Sequence, residues 1–140
     1  MKTFRLVSVL CAAALLLAGC KKTPPPPLSP AAVASRWWQA VVSGDDRGVA
    51  SYFSEDAARS KSGRVIAEYA QVEKAAGEGD RLAAEMLERL KGVKVGAVQS
   101  GPMMAVVPLV LEDDRPFLEV RLELRENRWV IIDISDGVRR

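Results

Sequence analysis

Asp133 sits inside an apolar run covering residues 129–134. A carboxyl buried there would be an acid or base with a raised pKa. The alternative is an ion pair with Arg121 across a hairpin, on its solvated face. Tyr52 and Tyr69 lie on helical apolar stripes. Each either offers a ligand its hydroxyl or fills the core with the hydroxyl at the rim. Trp37 and Trp38 are adjacent, so on a helix they point about 100° apart. One belongs to a core and the other to a pocket mouth or a partner surface. Asp45-Asp46 and Asp113-Asp114 have the oxygen donors of a calcium loop but not the number. Such loops supply six or more ligands at set spacing. Helix capping and turn formation account for both pairs.

The chain of 140 residues contains no His. That removes the commonest metal ligand and the usual general base near neutral pH. It also leaves no way to complete a nucleophile triad. There is no glycine-rich phosphate loop and no zinc spacing, so the sequence implies no metal and no cofactor. Twenty Lys and Arg stand against 18 Asp and Glu. A charge so close to balance gives no case for nucleic acid.

The N-terminus carries an address. Lys2 and Arg5 precede an apolar run over 6–17, which ends in Leu17-Ala18-Gly19-Cys20. A basic start, a short apolar stretch and small residues describe a secretory signal peptide. The run is shorter than the ~20 residues that span a bilayer. Leu17-Ala18-Gly19-Cys20 resembles the lipobox of bacterial lipoproteins. The resemblance implies cleavage between Gly19 and Cys20, with a diacylglyceryl thioether and palmitate-type acyl chains on Cys20. Residues 1–19 hold two of the basic side chains and none of the acidic ones, so the mature chain would be balanced. Cys11 would leave with the peptide and Cys20 would be blocked, so no thiol would remain for a disulfide or a nucleophile.

Residues 20–30 then form a tether. Lys21 and Lys22 suit anionic head groups. Pro24 to Pro27 impose an extended polyproline II segment. At ~3.1 Å per residue it could hold a domain roughly 30 Å from a bilayer. Lipoproteins kept in the inner membrane often have Asp after the lipidated Cys. Lys21 here implies the outer membrane, facing the periplasm, if the cell is Gram-negative.

Residues 31–140 read as one α+β domain. Ser29-Pro30 opens a helix over 30–43, with Val33, Trp37 and Val41 spaced by four and Gly44 at its end. Asp45 caps a short second helix. Ser54 caps a helical stretch over 55–76 that Gly63 interrupts. Asp80 caps a last helix over 81–91, striped by Leu82, Met86 and Leu90. From Val93 the apolar period falls to two. Strands are expected over 93–99, 103–112, 117–125 and 129–134. Pro108 must turn its side of the backbone to an edge or bulge.

Register follows from the faces, because a one-residue slip exchanges them. A three-residue turn centred on Asn127 pairs Leu124 with Val130, Leu122 with Ile132 and Val120 with Ile134. It sets Arg121 against Asp133 and Arg125 against Trp129. The preceding turn sets Leu109 against Val120 and Val107 against Leu122. Helices must then cover an aliphatic face. The opposite face keeps Met104, Val106, Pro108, Val110, Trp129 and Ile131, a candidate interface among charged neighbours.

Helices followed by an antiparallel meander resemble the nuclear transport factor 2-like, cystatin-like superfamily. The likeness lies in Trp37-Trp38-Gln39-Ala40-Val41-Val42-Ser43-Gly44-Asp45 leading to Tyr52-Phe53. A second part is Asn127-Arg128-Trp129-Val130-Ile131-Ile132-Asp133 in the closing hairpin. Small lipoproteins of this organisation form a bacterial group of unknown function. The resemblance implies helices packed on one face of a curved four-stranded meander, forming a cone. Its catalytic members use a pocket Asp or His with Tyr, and no such pair can be matched here. Three functions follow as expectations. The first is a non-catalytic, lipid-anchored binding domain whose partner is a second copy or another envelope protein. The second is a carrier or sensor of a small apolar ligand, lined by Trp37, Trp38, Tyr52, Phe53 and Met86. The most remote is an isomerase- or dehydratase-like enzyme using a carboxylate.

Overall fold

The computed structural model describes residues 23–57 and 63–137. The expected signal peptide over 1–19, Cys20 and Lys21-Lys22 lie outside the described residues, as do the five residues before Gly63. Residues 23–29 have no regular secondary structure and are exposed.

Local chemistry explains where the helices begin and end. In α1 (Pro30–Val42) the Ser29 hydroxyl accepts from the Ala32 amide at 3.2 Å, and Pro30 occupies the first turn. Gly44 follows with φ +70°, a left-handed geometry that favours glycine. The Asp45 carboxylate accepts from Gly48 N at 2.9 Å and opens α2 (Asp46–Ser51). Ser54 Oγ accepts from Ala57 N and opens the single turn α3 (Glu55–Ala57). The helix α4 (Gly63–Gly77) turns through Gly79, φ +94°, into α5 (Arg81–Lys91). Asp80 caps α5 by accepting from the amides of Leu82 and Ala83.

The rest is an open antiparallel sheet: β1 (Lys94–Val95), β2 (Gln99–Ser100), β3 (Met104–Val110), β4 (Pro116–Arg125) and β5 (Arg128–Asp136). The order is β1-β3-β4-β5, with β2 also pairing β3. The expected strand over 93–99 is therefore two short pieces. Pro108 explains the break. Its carbonyl accepts from Gly96 N at 2.8 Å, so its missing amide hydrogen faces this same neighbour. The irregularity falls on the neighbouring strand, which is split into β1 and β2.

The closing hairpin departs from the expected register in a specific way. Glu126 and Asn127 both have positive φ, 48° and 61°, and make a two-residue turn. Leu124 therefore pairs with Trp129, Leu122 with Ile131 and Glu123 with Val130. A bulge then adds Ile132 to β5, after which Arg121 meets Asp133 and Val120 meets Ile134, as expected. The two-residue turn sets Trp129 and Ile131 on the face toward the helices and Val130 on the face of Glu123, where it is nonetheless buried. Ile131 is 0% exposed and belongs to the core. Trp129 packs against that core. Neither is an outer-face residue, which corrects two members of the candidate interface. The β3–β4 register is also shifted by two from expectation. Leu109 pairs with Leu118 and Val107 with Val120, and a second bulge accommodates Phe117.

The core joins α1 to the inner sheet face through Trp37, Val41, Val107, Leu109, Leu122 and Ile131. Each large apolar side chain removed from water contributes ~1.5–3 kcal/mol. The edge of β5 is partly closed by the segment before α3. Ser54 N donates to Ile131 O, and Ile131 N donates to Tyr52 O. Core residues run from Val33 to Ile131, and among the described residues none before Pro30 is buried. The segment from Thr23 onward thus holds every core side chain among the described residues, the contacts it needs to fold by itself.

Candidate binding cleft

The apolar stripe of α5 is buried only at its C-terminal end. Leu90 is 8% exposed, Met86 53% and Leu82 77%. Exposure thus rises toward the N-terminus of α5, and a cleft lies beside Met86 and Leu90. A cavity of about 210 Å³ lies there, between Trp38 of α1, Tyr69 and Val72 of α4, Met86 and Leu90 of α5, and Phe117 of β4. It opens at one side onto a polar notch containing Arg64, Glu68, Ser135 and Asp136. At the other it continues as a shallow groove along Val72, Ala75, Leu82 and Ala83.

Trp38 anchors the floor. Its Nε1 donates to the Leu90 carbonyl at 3.0 Å, satisfying an acceptor at the end of α5. Its ring lies 5.3 Å from Phe117 at 77° and 6.4 Å from Tyr69 at 85°. The rings are edge-to-face, as their quadrupoles favour. Phe117 reaches this position because the bulge in β4 accommodates it. The Tyr69 hydroxyl donates to Val42 O at 3.4 Å. Burial pushes its pKa up, and the nearby Glu73 carboxylate adds to the rise. In the notch, Arg64 Nε donates to Glu68 Oε1 at 2.8 Å. That hydrogen bond and the charge of Glu68 raise the guanidinium pKa, and Asp136 adds a smaller pull.

The expected pocket residues divide. Trp38 and Met86 line the cleft. Trp37 does not: it is 0% exposed, with its ring 6.0 Å from Phe53 in an edge contact. Phe53 is likewise core, and Tyr52 lies in the segment bonded to β5. All three leave the candidate pocket because α2 and α3 close the sheet on that side. The Trp37 Nε1 has no hydrogen-bond partner among the described residues.

Asp133 faces Arg121 on the outer side of the sheet, and its carboxylate accepts from Ile134 N at 2.9 Å. It is far from a sealed apolar setting. The acid pairs act as structure: Asp45 caps α2, and Asp113 binds Arg115 at 2.6 Å within a turn. Among the described residues no group of three metal-ligating side chains comes together. No helix among them is long and apolar enough to cross a membrane.

Sequence reasoning missed Phe117, Leu90, Val72, Glu68 and Asp136 as cleft residues. The stripe of α5, spaced by four, is legible in the sequence, but its exposure at Leu82 and Met86 is not. No family model matches the chain, and no curated protein or solved structure matches it.

Proposed function

We propose that this is a lipid-anchored cell-envelope protein whose α+β domain is a non-catalytic binding module for a small apolar ligand. The observation that carries this reading is the cavity beneath α5, walled by Trp38, Tyr69, Leu90 and Phe117 and open at Met86. Ligand sites are concave, mostly apolar and fixed by a few polar groups at one end. The cleft has that composition, with the polar notch at its edge. Helices preceding an antiparallel sheet, with a cleft between them, also favour the cystatin-like cone. The anchor rests on Leu17-Ala18-Gly19-Cys20 and the exposed proline tether, with the periplasmic face of the outer membrane as its place in a Gram-negative cell. The position of Asp133, outside the cleft and opposite Arg121, supports a non-catalytic domain.

A second reading keeps the outer sheet face as a site for a second copy or another envelope protein. Met103 and Met104 are 54% and 48% exposed beside Val106, Pro108 and Val110. Native mass spectrometry of residues 23–140, secreted to the periplasm, separates the two. Retained mass of one small molecule per chain, lost in Met86→Lys, is the expected result. A ligand-free dimer would move the function to the sheet. A bare monomer that takes up no apolar probe would overturn the cleft.

A further inference from the structure

The outer face of the sheet carries two rows of side chains. On β4, Glu119, Arg121, Glu123 and Arg125 alternate in sign. Beside them on β3 run Pro108, Val106 and Met104, in register with Glu119, Arg121 and Glu123. Met104 is 48% exposed, and Val106 and Pro108 are half-buried. The charged row is bonded along its own strand. Arg121 meets Glu119 at 3.4 Å, and Arg125 meets Glu123 at 2.6 Å. Exposed pairs of this kind contribute little to stability, and each guanidinium keeps further donors. Read backwards about Leu122, every acid falls on a base: Glu119 on Arg125, and Arg121 on Glu123. A two-fold axis lying across the strands at Leu122 performs this reversal. It lays β4 on the β4 of a second copy, antiparallel, with unlike charges opposed at every position of the row. It lays the apolar row on itself too, Val106 against Met104 in both directions. An axis one residue away opposes Arg121 or Glu123 to its own copy. An axis along the strands opposes every charge to its like. Arg128 and Asp133 of β5 share this face, and the reversal sets neither directly opposite a like charge.

We propose that the outer sheet face docks a second copy of this chain, face to face and antiparallel, with the two-fold axis at Leu122. This rests on the reading of the outer face as a contact site and is independent of the cleft. The alternating charges set the register, because complementary potentials give specificity more than affinity. Met104 and Val106 supply the apolar contact. Packed sheets are rotated by ~30°, so the central pair Arg121–Glu123 stays closest and the outer pair diverges. The face spans four strands ~4.8 Å apart and about seven residues, roughly 450 Å². A standard interface buries ~800 Å² on each partner. The dimer is therefore weak and dissociates in dilute solution.

The test is sedimentation equilibrium of residues 23–140, from about ten micromolar to about one millimolar. The unaltered chain should show a monomer–dimer equilibrium. Arg121→Glu alone and Glu123→Arg alone should each weaken it at least about tenfold, since each opposes like charges twice. An equimolar mixture of these two variants should recover the dimer, because unlike charges then meet at every position. A mixture of Arg121→Glu with Glu119→Arg carries the same net charges but opposes like charges at two positions. It should not recover the dimer. The three side chains are at least partly exposed, and thermal unfolding checks each variant's fold. A dimer indifferent to these changes would overturn the axis at Leu122 and leave the outer face standing as a contact site. Recovery in both mixtures would reduce the effect to net charge and overturn the register in the same way. A monomer at every concentration would overturn the second copy itself.

Discussion

Trp37 and Trp38 are consecutive in the chain and meet different surroundings. Trp37 faces a wall sealed by Phe53, the inner sheet and the bonded segment over 52–54. Trp38 faces α4 and α5, which close only at Leu90. One side spends its aromatic surface on stability, down to an indole hydrogen with no partner. Such an unmet donor costs ~1–3 kcal/mol where it is dry. The other side satisfies its indole through Leu90 O and keeps space beside the ring. The same residue type, one step along a helix, serves a core on one flank and an opening on the other.

The comparison can be broken by mutation. The largest effect is expected on the sealed side. Trp37→Ala should lower the unfolding free energy by ~3–5 kcal/mol, because packed neighbours cannot collapse into the space. Urea denaturation reads this directly, and a loss below about 1 kcal/mol would mean the wall is looser than described. Tyr69 tests the open flank through pH. Its folded pKa is raised by burial, so the unfolded chain ionises first. Its contribution is whole below about pH 10, the unfolded value, and is lost as pH climbs toward the raised folded value. Tyr69→Phe should therefore flatten the fall in melting temperature above about pH 10. An unchanged alkaline slope would place the hydroxyl in water. The smallest effect belongs to the rim. Leu82→Ser should change stability by no more than about 0.5 kcal/mol, since this side chain is almost wholly exposed. A larger loss in calorimetric unfolding would show that α5 packs more closely than its exposure indicates.

Much of the frame was legible because short-range chemistry decides it. Ser29-Pro30, Asp45, Ser54 and Asp80 each cap the helix they announce. The alternation of β4 set its two faces correctly, with Val120 and Leu122 buried and Arg121 exposed. What failed was the balance between a turn and a bulge. The hairpin satisfies the tight turn at Glu126-Asn127 and the Arg121–Asp133 pairing together, by adding one residue to β5. No alternation pattern reveals that Ile132 is the extra residue, so Trp129 and Ile131 were assigned to the wrong face. The cleft was half legible. Trp38 and Met86 stood out by type and spacing. Phe117 and Asp136 reach it through strand geometry set far along the chain, by a second bulge and by the length of β5.

Pro108 has one more consequence. A sheet ending in a long, regular strand invites copies of itself to stack in register, strand on strand. Here the outermost position is divided between a pair of residues at Lys94–Val95 and another at Gln99–Ser100. The single imino acid in the next strand forces that division. Along this edge a second molecule would meet two short stretches and no continuous strand. The ring that removes one amide hydrogen from β3 thus shortens the run of backbone that this edge can offer to another strand.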